Sequence, residues 1–165
     1  MARKKHSGTH TKSQQKHYER VARLQYGPDM VNESIQLWNS YTKAKQEAIL
    51  AEGGQIYGDL VNALKAGVVP QSSDVQSIVQ RWHENLRYFY EPTPDILRGL
   101  GDAYRTEPGF MAFFEKLHPD LPDYLSEAIT QYVSDLEYAE IERMLAEDDV
   151  KNKSARLSYQ QKKAP

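Results

Sequence analysis

The 165-residue chain contains no cysteine. This absence excludes disulfide bridges, cysteine zinc sites and a thiol nucleophile. The sequence also lacks any run of about 18 apolar residues, and no short apolar run follows its basic start, so neither a transmembrane helix nor a secretory signal is predicted. We therefore expect a cytoplasmic protein with no membrane partner.

Residues for catalysis or metal binding are not arranged at useful spacings. The five histidines are scattered, and His6, His10 and His17 have no acidic or thiol partner at metal-ligand spacing. The acidic residues between 137 and 149 have the pattern of a solvated helix face, not of a general acid and base pair. We predict no metal, no cofactor and no catalytic residue, and a protein that is not an enzyme.

Charge is strongly segregated along the chain, although the formal net charge is only −2. Residues 1–27 carry a net charge of +6, residues 28–149 carry −13, and residues 150–165 carry +5. The two basic ends are poor in apolar residues and cannot offset the entropy of ordering by themselves. We expect a basic N-terminal tail or lid helix (1–27), one helical domain (28–146) and a basic, disordered C-terminal tail (147–165).

Apolar residues recur at spacings of three and four throughout the central region, which predicts an all-α fold. Ser73 and Gln76 have the spacing of a capping box at the start of one helix, and Thr93 precedes a proline at the start of the next. The best-marked predicted helices cover residues 74–90, 94–105, 108–117 and 121–136.

Glycines punctuate this helical pattern. Gly53 and Gly54 interrupt an otherwise helical stretch and predict a kink or a break. Gly67 is expected to end that stretch as a C′ glycine. Gly99 and Gly101 precede no strand-turn-helix unit that could bind phosphate, so we interpret them as points of close helix contact.

Several short motifs follow one another in a distinctive order. They are QYGPD (25–29), WNSYTK (38–43), FYEPTP (89–94), RGLG (98–101), GF (109–110) and DLPDYL (120–125). This order resembles the TipAS antibiotic-recognition domain of TipA-type regulators, which belong to the MerR family. The resemblance covers about residues 20–135, and its densest part is the aromatic and proline-rich corner that is followed by a Gly-Leu-Gly segment.

This resemblance implies a single globin-like helical bundle with a mobile N-terminal segment and a deep apolar cleft. In the family, the cleft binds large, poorly soluble antibiotics such as thiopeptides, and the N-terminal part closes over the ligand. Drug sequestration, antibiotic resistance or transcription regulation would follow from such binding. The expected ligand-binding residues are Trp38, Tyr41, Trp82, Leu86, Phe89, Tyr90, Leu97, Leu100, Tyr104, Phe110 and Phe113.

Two departures from the family pattern matter for function. Family members can capture dehydroamino acids of the ligand with a cysteine beside the aromatic pair, whereas Pro92 stands at that position here. We therefore expect reversible binding. About 27 residues of leader are also too short for a winged helix-turn-helix, so we expect a stand-alone ligand-binding domain that is a monomer or a weak dimer.

Two alternatives remain open at the level of sequence. Aromatic stripes at helical spacing line a core as readily as a cleft, because both are built from the same residue types. The basic ends could also contact phosphates, which would make the protein a nucleic-acid or protein interaction module. The basic residues concerned are Arg3, Lys4, Lys5, Lys12, Lys16, Lys151, Lys153, Arg156, Lys162 and Lys163.

Overall fold

Six α-helices follow one another in residues 27–163, the part of the chain that the computed structural model describes. No strand occurs in this range, which confirms the all-α prediction. None of these helices is long and apolar enough to cross a membrane. The predicted tail or lid of residues 1–27 lies outside the described residues except at its last position. The helices are α1 (Pro28–Ser40), α2 (Lys43–Lys65), α3 (Ser73–Leu86), α4 (Pro94–Thr106), α5 (Pro108–Leu117) and α6 (Leu121–Lys163).

Three of the helices have a short polar residue as N-cap, whose side chain accepts a hydrogen bond from a backbone N–H in the first turn. Thr93 does so as predicted, but the capping box predicted from Ser73 and Gln76 is wrong, because Ser72 is the N-cap of α3 and accepts from the backbone N–H of Val75. Gln76 instead donates from Nε2 to the carbonyls of Pro70 and Ala128, at 2.9 and 3.0 Å. This side chain therefore ties the α2–α3 loop to α6. The capping residues are Thr42, Ser72 and Thr93.

The core lies where α4 packs along the first part of α6, the most extensive helix contact among the described residues. Helices α2, α3 and α5 cover the remaining sides of this pair. Burial of so many apolar side chains is the main driving force for the fold. The buried core residues are Ile56, Leu60, Val75, Val79, Trp82, Leu97, Leu100, Tyr104, Phe114, Leu121, Leu125, Ala128, Ile129 and Val133.

The glycines of α4 have different surroundings. A Cβ added to Gly101 would lie 3.1 Å from Cγ2 of Ile129, so the predicted close helix contact is confirmed at this position. A Cβ at Gly99 would meet nothing within 4 Å, and the same prediction is wrong there. Gly99 and Gly101 are two residues apart, which places them on different sides of a helix with 3.6 residues per turn.

The glycine pair in α2 does not break that helix. Helix α2 runs without interruption from Lys43 to Lys65, in contrast to the predicted kink or break. Opposite Gly53 lies Asn85, whose Nδ2 donates to the carbonyl of Ile49 at 3.2 Å while its Oδ1 would lie 3.5 Å from a Cβ at Gly53. Tertiary contact with α3 thus offsets the weak helix propensity of glycine. Gly67 has φ 73° directly after α2, as expected for a C′ glycine.

The last helix continues far beyond the predicted residue 136 and ends at Lys163. Residues 147–163, expected to be part of a disordered tail, are helical, and the predicted domain boundary at residue 146 falls inside α6. No glycine or proline occurs between Asp123 and Lys163, so nothing in the sequence stops the helix. Arg143 forms ion pairs with Glu140 and Glu147 along its surface.

Valine substitutions at the two glycines of α4 test the packing against α6. We expect Gly101→Val to lower the free energy of unfolding by about 1 to 3 kcal/mol, because its side chain overpacks against Ile129. The matched Gly99→Val variant enters open space and should stay within about 0.5 kcal/mol of the unmodified chain. Urea unfolding measures both, and equal effects of the two variants would contradict the assigned contact.

Candidate ligand-binding site

Four aromatic side chains join the end of α1 to the corner between α3 and α4, and we call them the outer cluster: Trp38, Tyr41, Tyr88 and Phe89. Trp38 stacks on Phe89 with ring centroids 5.1 Å apart and an interplanar angle of 19°. Tyr41 meets Tyr88 edge to face, with centroids 6.3 Å apart and an angle of 85°. Such pairs contribute about 0.5 to 1.5 kcal/mol each beyond the apolar area that they bury.

Polar contacts hold the end of α1 in place. The hydroxyl of Tyr41 donates to the carbonyl of Tyr88 at 2.9 Å, and Nε2 of Gln46 donates to the carbonyl of Trp38 at 2.9 Å. Nζ of Lys45 lies 4.8 Å from the centroid of the Tyr88 ring, in cation–π geometry. Val31 is the one buried residue of α1. Among the described residues, the ring contacts and hydrogen bonds of α1 come from its C-terminal end, through partly exposed side chains.

A second group of aromatic residues, the inner cluster, lies between α2, α3, α4 and α5. Tyr104 is its centre and contacts Phe114, Phe110 and Trp82, with ring centroids 4.8, 5.2 and 6.2 Å away. Tyr57 joins the cluster from α2 through Phe114, at 5.1 Å. The inner cluster consists of Tyr57, Trp82, Tyr104, Phe110, Phe113 and Phe114.

The polar atoms of the inner cluster are buried in apolar surroundings. Burial raises the pKa of Tyr57 to about 12 and raises the pKa of Tyr104 well above its ordinary value. Both phenols are therefore neutral and can donate hydrogen bonds. They lie near Trp82, but its indole Nε1 forms no hydrogen bond of ordinary geometry with any described residue. The inner cluster thus has more donors than its own residues satisfy.

The residues predicted to bind ligand are divided between the two clusters and the core. Trp38, Tyr41 and Phe89 lie in the outer cluster, and Trp82, Tyr104, Phe110 and Phe113 lie in the inner cluster. Leu97 and Leu100 are buried core residues, and Leu86 packs against the core from outside. Tyr90 is partly buried, and after burial and Tyr57 it contributes to the raised pKa of Tyr104. The ligand-binding role of all eleven residues stays a prediction.

Sequence reasoning missed several residues that complete these clusters. Tyr57 follows Gly53 by four residues and precedes Leu60 by three, so helical spacing alone could have placed it on the buried face of α2. Tyr88 had a signal as well, because it belongs to the aromatic run of the α3–α4 corner. Lys45 and Gln46 carry no comparable signal, since their roles depend on where α1 docks.

A shallow depression of about 310 Å³ lies between α3 and α6, away from both clusters. His83 is buried in the same region, and its Nδ1 is 2.9 Å from the hydroxyl of Tyr132. Burial, together with the positive charge of Arg87, lowers the pKa of His83. Among residues 27–163, no group of three or more acidic, histidine or cysteine side chains is placed to hold a metal ion. The residues that line the depression are Ser73, Gln76, Ser77, Gln80, Tyr132, Asp135 and Leu136.

Comparison with known proteins assigns this chain to a protein family. A family model, the TipAS antibiotic-recognition domain, matches residues 18–132. The chain belongs to the TipAS family. The matched range contains α1 to α5, both aromatic clusters and all buried residues of α6 except Val133.

Two curated relatives of this TipAS chain are transcription regulators. The chain is 30% identical over 120 residues to the HTH-type transcriptional activator mta of Bacillus subtilis, which covers 72% of this chain and 46% of that protein. It is 36% identical over 95 residues to the HTH-type transcriptional regulator SkgA of Caulobacter vibrioides, which covers 56% of this chain and 37% of that protein. The TipAS chain therefore spans less than half the length of these relatives.

A solved structure confirms the globin-like helical fold. It contains TipAS in complex with nosiheptide, from a thiopeptide antibiotic multidrug resistance system of Streptomyces lividans. The TM-score is 0.64 at 20% identity, and the match covers 77% of this chain and 96% of that chain. At this identity the likeness concerns the fold.

Removing one hydroxyl from the outer cluster tests how α1 is held. Tyr41→Phe keeps the ring but leaves the Tyr88 carbonyl without its donor, at a cost of about 1 kcal/mol. We expect amide hydrogen exchange of residues 28–40 to become about five times faster, because local opening of α1 becomes easier. Tyr138→Phe, on the exposed part of α6, is the matched control and should change nothing in α1. Unaltered exchange in Tyr41→Phe would contradict the docking.

The lowered pKa of the buried His83 makes the free energy of unfolding of this TipAS domain depend on pH. Because the pKa of His83 is lowered in the folded state, its contribution to stability is complete above its ordinary value of 6.5 and is lost as pH falls toward the folded-state pKa. The unmodified chain should therefore lose more stability than His83→Gln between pH of about 7.5 and about 5.5. Tyr132→Phe keeps the buried ring and should retain the dependence. Parallel pH profiles of the unmodified chain and His83→Gln would contradict this cause.

Proposed function

We propose that this TipAS domain binds large, hydrophobic, thiopeptide-like antibiotics reversibly, between α1 and the corner of α3 and α4. The observation that carries the proposal is the outer cluster, where Trp38 of α1 stacks on Phe89 of the corner. A flat aromatic ring that rests on another ring at a partly exposed position can be exchanged for a flat heterocycle of a ligand. The apolar contact is then kept while the partner changes.

Displacement of α1 would open a continuous aromatic path into the domain. Tyr90 follows Phe89 of the outer cluster in sequence and, after burial and Tyr57, contributes to the raised pKa of Tyr104 at the centre of the inner cluster. Phe110 is partly buried, and the Phe113 side chain is 38% exposed, so a large ligand could contact both without disrupting the deepest core. Apolar burial would supply most of the affinity, and the neutral phenols would donate hydrogen bonds to amide carbonyls of the ligand.

The sequence of the corner supports reversible binding. The chain has no cysteine, and Pro92 occupies the position where related domains can place one. Pro92 is buried beside the outer cluster and offers no nucleophile. We therefore propose a non-enzymatic role in which the domain senses or sequesters the drug.

Titration with nosiheptide tests the proposed function. Trp38 and Trp82 are the two tryptophans of the chain, so binding at either cluster should change the intrinsic fluorescence. Nosiheptide at about 100 times its dissociation constant should stabilise the fold by about 2.7 kcal/mol and raise the thermal midpoint. A panel of thiopeptides that alters neither the fluorescence nor the midpoint would refute antibiotic binding.

Truncation of the stacked tryptophan tests where the ligand binds. We expect Trp38→Ala to weaken nosiheptide binding at least about tenfold, which corresponds to about 1.4 kcal/mol of lost aromatic contact. Leu37→Ala changes the neighbouring, largely exposed residue of α1 and serves as the matched control. Full affinity in a folded Trp38→Ala variant would place the site elsewhere.

A cysteine at the corner should convert reversible binding into covalent capture. In Pro92→Cys, the thiol would add across the carbon–carbon double bond of a dehydroalanine in the ligand: the S–C bond forms, the π bond breaks, and the thiol proton moves to the α-carbon. Mass spectrometry should detect one adduct on Pro92→Cys and none on the unmodified chain. The Ser158→Cys variant, which places a thiol at an exposed position of α6 outside the proposed site, controls for unselective reaction.

A further inference from the structure

The last part of α6 has no tertiary packing within the described structure. Every residue from 138 to 163 is exposed, although this segment is a continuous helix of about 39 Å at 1.5 Å per residue. Helices in proteins gain most of their stability by packing an apolar face against another element. An exposed helix of this length therefore has the features of one half of an interface.

Charge is divided between the two halves of this exposed helix. Residues 137–149 contain six acidic side chains and one basic side chain, for a net charge of −5. Residues 150–163 contain five basic side chains and no acidic one, for a net charge of +5. A partner that fits must present a basic half opposite the first segment and an acidic half opposite the second.

We propose that the partner is a second copy of this chain, and that the exposed parts of two α6 helices pair as an antiparallel coiled coil. Antiparallel pairing places the acidic half of each helix beside the basic half of the other. Parallel pairing would place −5 beside −5 and +5 beside +5, which is unfavourable for like charges. Charge complementarity thus favours a second copy of the chain as the partner and an antiparallel direction for its α6 helix.

The spacing of side chains supports this pairing with a defined register. A heptad repeat with alternating intervals of three and four begins at Tyr138 and continues to Lys162. With a two-fold axis near residue 150, Ile141 faces Tyr159 of the second copy, and Leu145 faces Ala155. Tyr138, Ile141, Leu145 and Tyr159 are all large and exposed in the single chain. The seam positions are Tyr138, Ile141, Leu145, Asp148, Asn152, Ala155, Tyr159 and Lys162.

The positions that flank the seam carry the complementary charges. One flanking position of each heptad is occupied in turn by Glu142, Asp149, Arg156 and Lys163, which reads acid, acid, base, base. In an antiparallel pair, equivalent flanking positions face each other in reverse order, so each acid meets a base. At the centre, Asp148 faces Asn152 of the second copy, and these polar pairs would specify register at a cost in stability. The dimer is accordingly expected to depend on protein concentration.

Sedimentation of the full chain over a range of concentrations tests the association. We expect a monomer–dimer equilibrium for the unmodified chain. The double variant Ile141→Asn, Leu145→Asn should stay monomeric, because it removes two apolar residues of the seam. Val150→Asn combined with Leu157→Asn removes two equally exposed apolar residues from the opposite face and should leave the dimer intact. A chain that stays monomeric throughout, or a dimer that is insensitive to the seam variant, would overturn the proposal.

Cysteine cross-linking tests direction, and the natural lack of cysteine leaves no background. Under oxidation, a mixture of Ile141→Cys and Tyr159→Cys chains should form the mixed disulfide. Neither variant should cross-link with itself, because the two copies of residue 141 lie about 27 Å apart in an antiparallel pair, too far for a disulfide. Efficient self-cross-linking of either variant would indicate parallel pairing and overturn the proposal.

Charge-reversal variants test whether the partner of α6 is a second copy of the chain or another molecule. Glu142→Lys with Asp149→Lys makes all four residues of this flanking position basic, and Arg156→Glu with Lys163→Glu makes all four acidic. Each double variant should lose self-association, while an equimolar mixture of the two should recover it. If the mixture stays monomeric, or if the unmodified helix binds duplex DNA or the chain's own basic residues 1–26 instead of a second copy, the proposal fails.

Discussion

The close approach of α4 to α6 is the contact on which the rest of the domain depends. At Gly101 the absence of a Cβ lets the α4 backbone lie against the side chain of Ile129, where an added carbon would be 3.1 Å away. This approach directs Tyr104, one turn further along α4, into the centre of the inner cluster. Helices α2, α3 and α5 then pack around the pair and bring Tyr57 and Trp82 to the same place.

Helix α4 and the first part of α6 are deeply buried in the core, whereas α1 is attached to the domain by fewer contacts. Deeply buried residues of α4 and α6 have no contact with solvent, whereas α1 is held by a stacked ring, an edge-to-face pair and two hydrogen bonds. Elements at the low-stability end of a fold are those that open for ligands. The proposed binding site lies where the weakly attached α1 meets the buried core, so a ligand would replace contacts of α1 without unfolding the core.

Local patterns predicted much of the fold and part of the candidate site. Helix starts at Thr93 and Pro108 and the C′ glycine at Gly67 follow from backbone chemistry within a few residues. Two predictions are wrong because contacts between distant parts of the chain decide the structure. Helix α2 does not break at Gly53, since Asn85 of α3 lies opposite it, and Gly99 makes no close helix contact, since only Gly101 of α4 faces α6. The predicted disorder of the C-terminal segment is wrong for residues 147–163, because low apolar content does not prevent a helix that no glycine or proline interrupts.

The sequence by itself determined the all-α class, the positions of most helix ends and the aromatic corner that identifies the family, because these depend on spacings along one chain. Only the tertiary structure decided which aromatic residues are core and which form the outer cluster. Trp82 and Phe89 lie on the same stretch of chain, yet Trp82 is buried against Tyr104 while Phe89 pairs with Trp38. Burial depends on which helices surround a residue, and no local pattern specifies that.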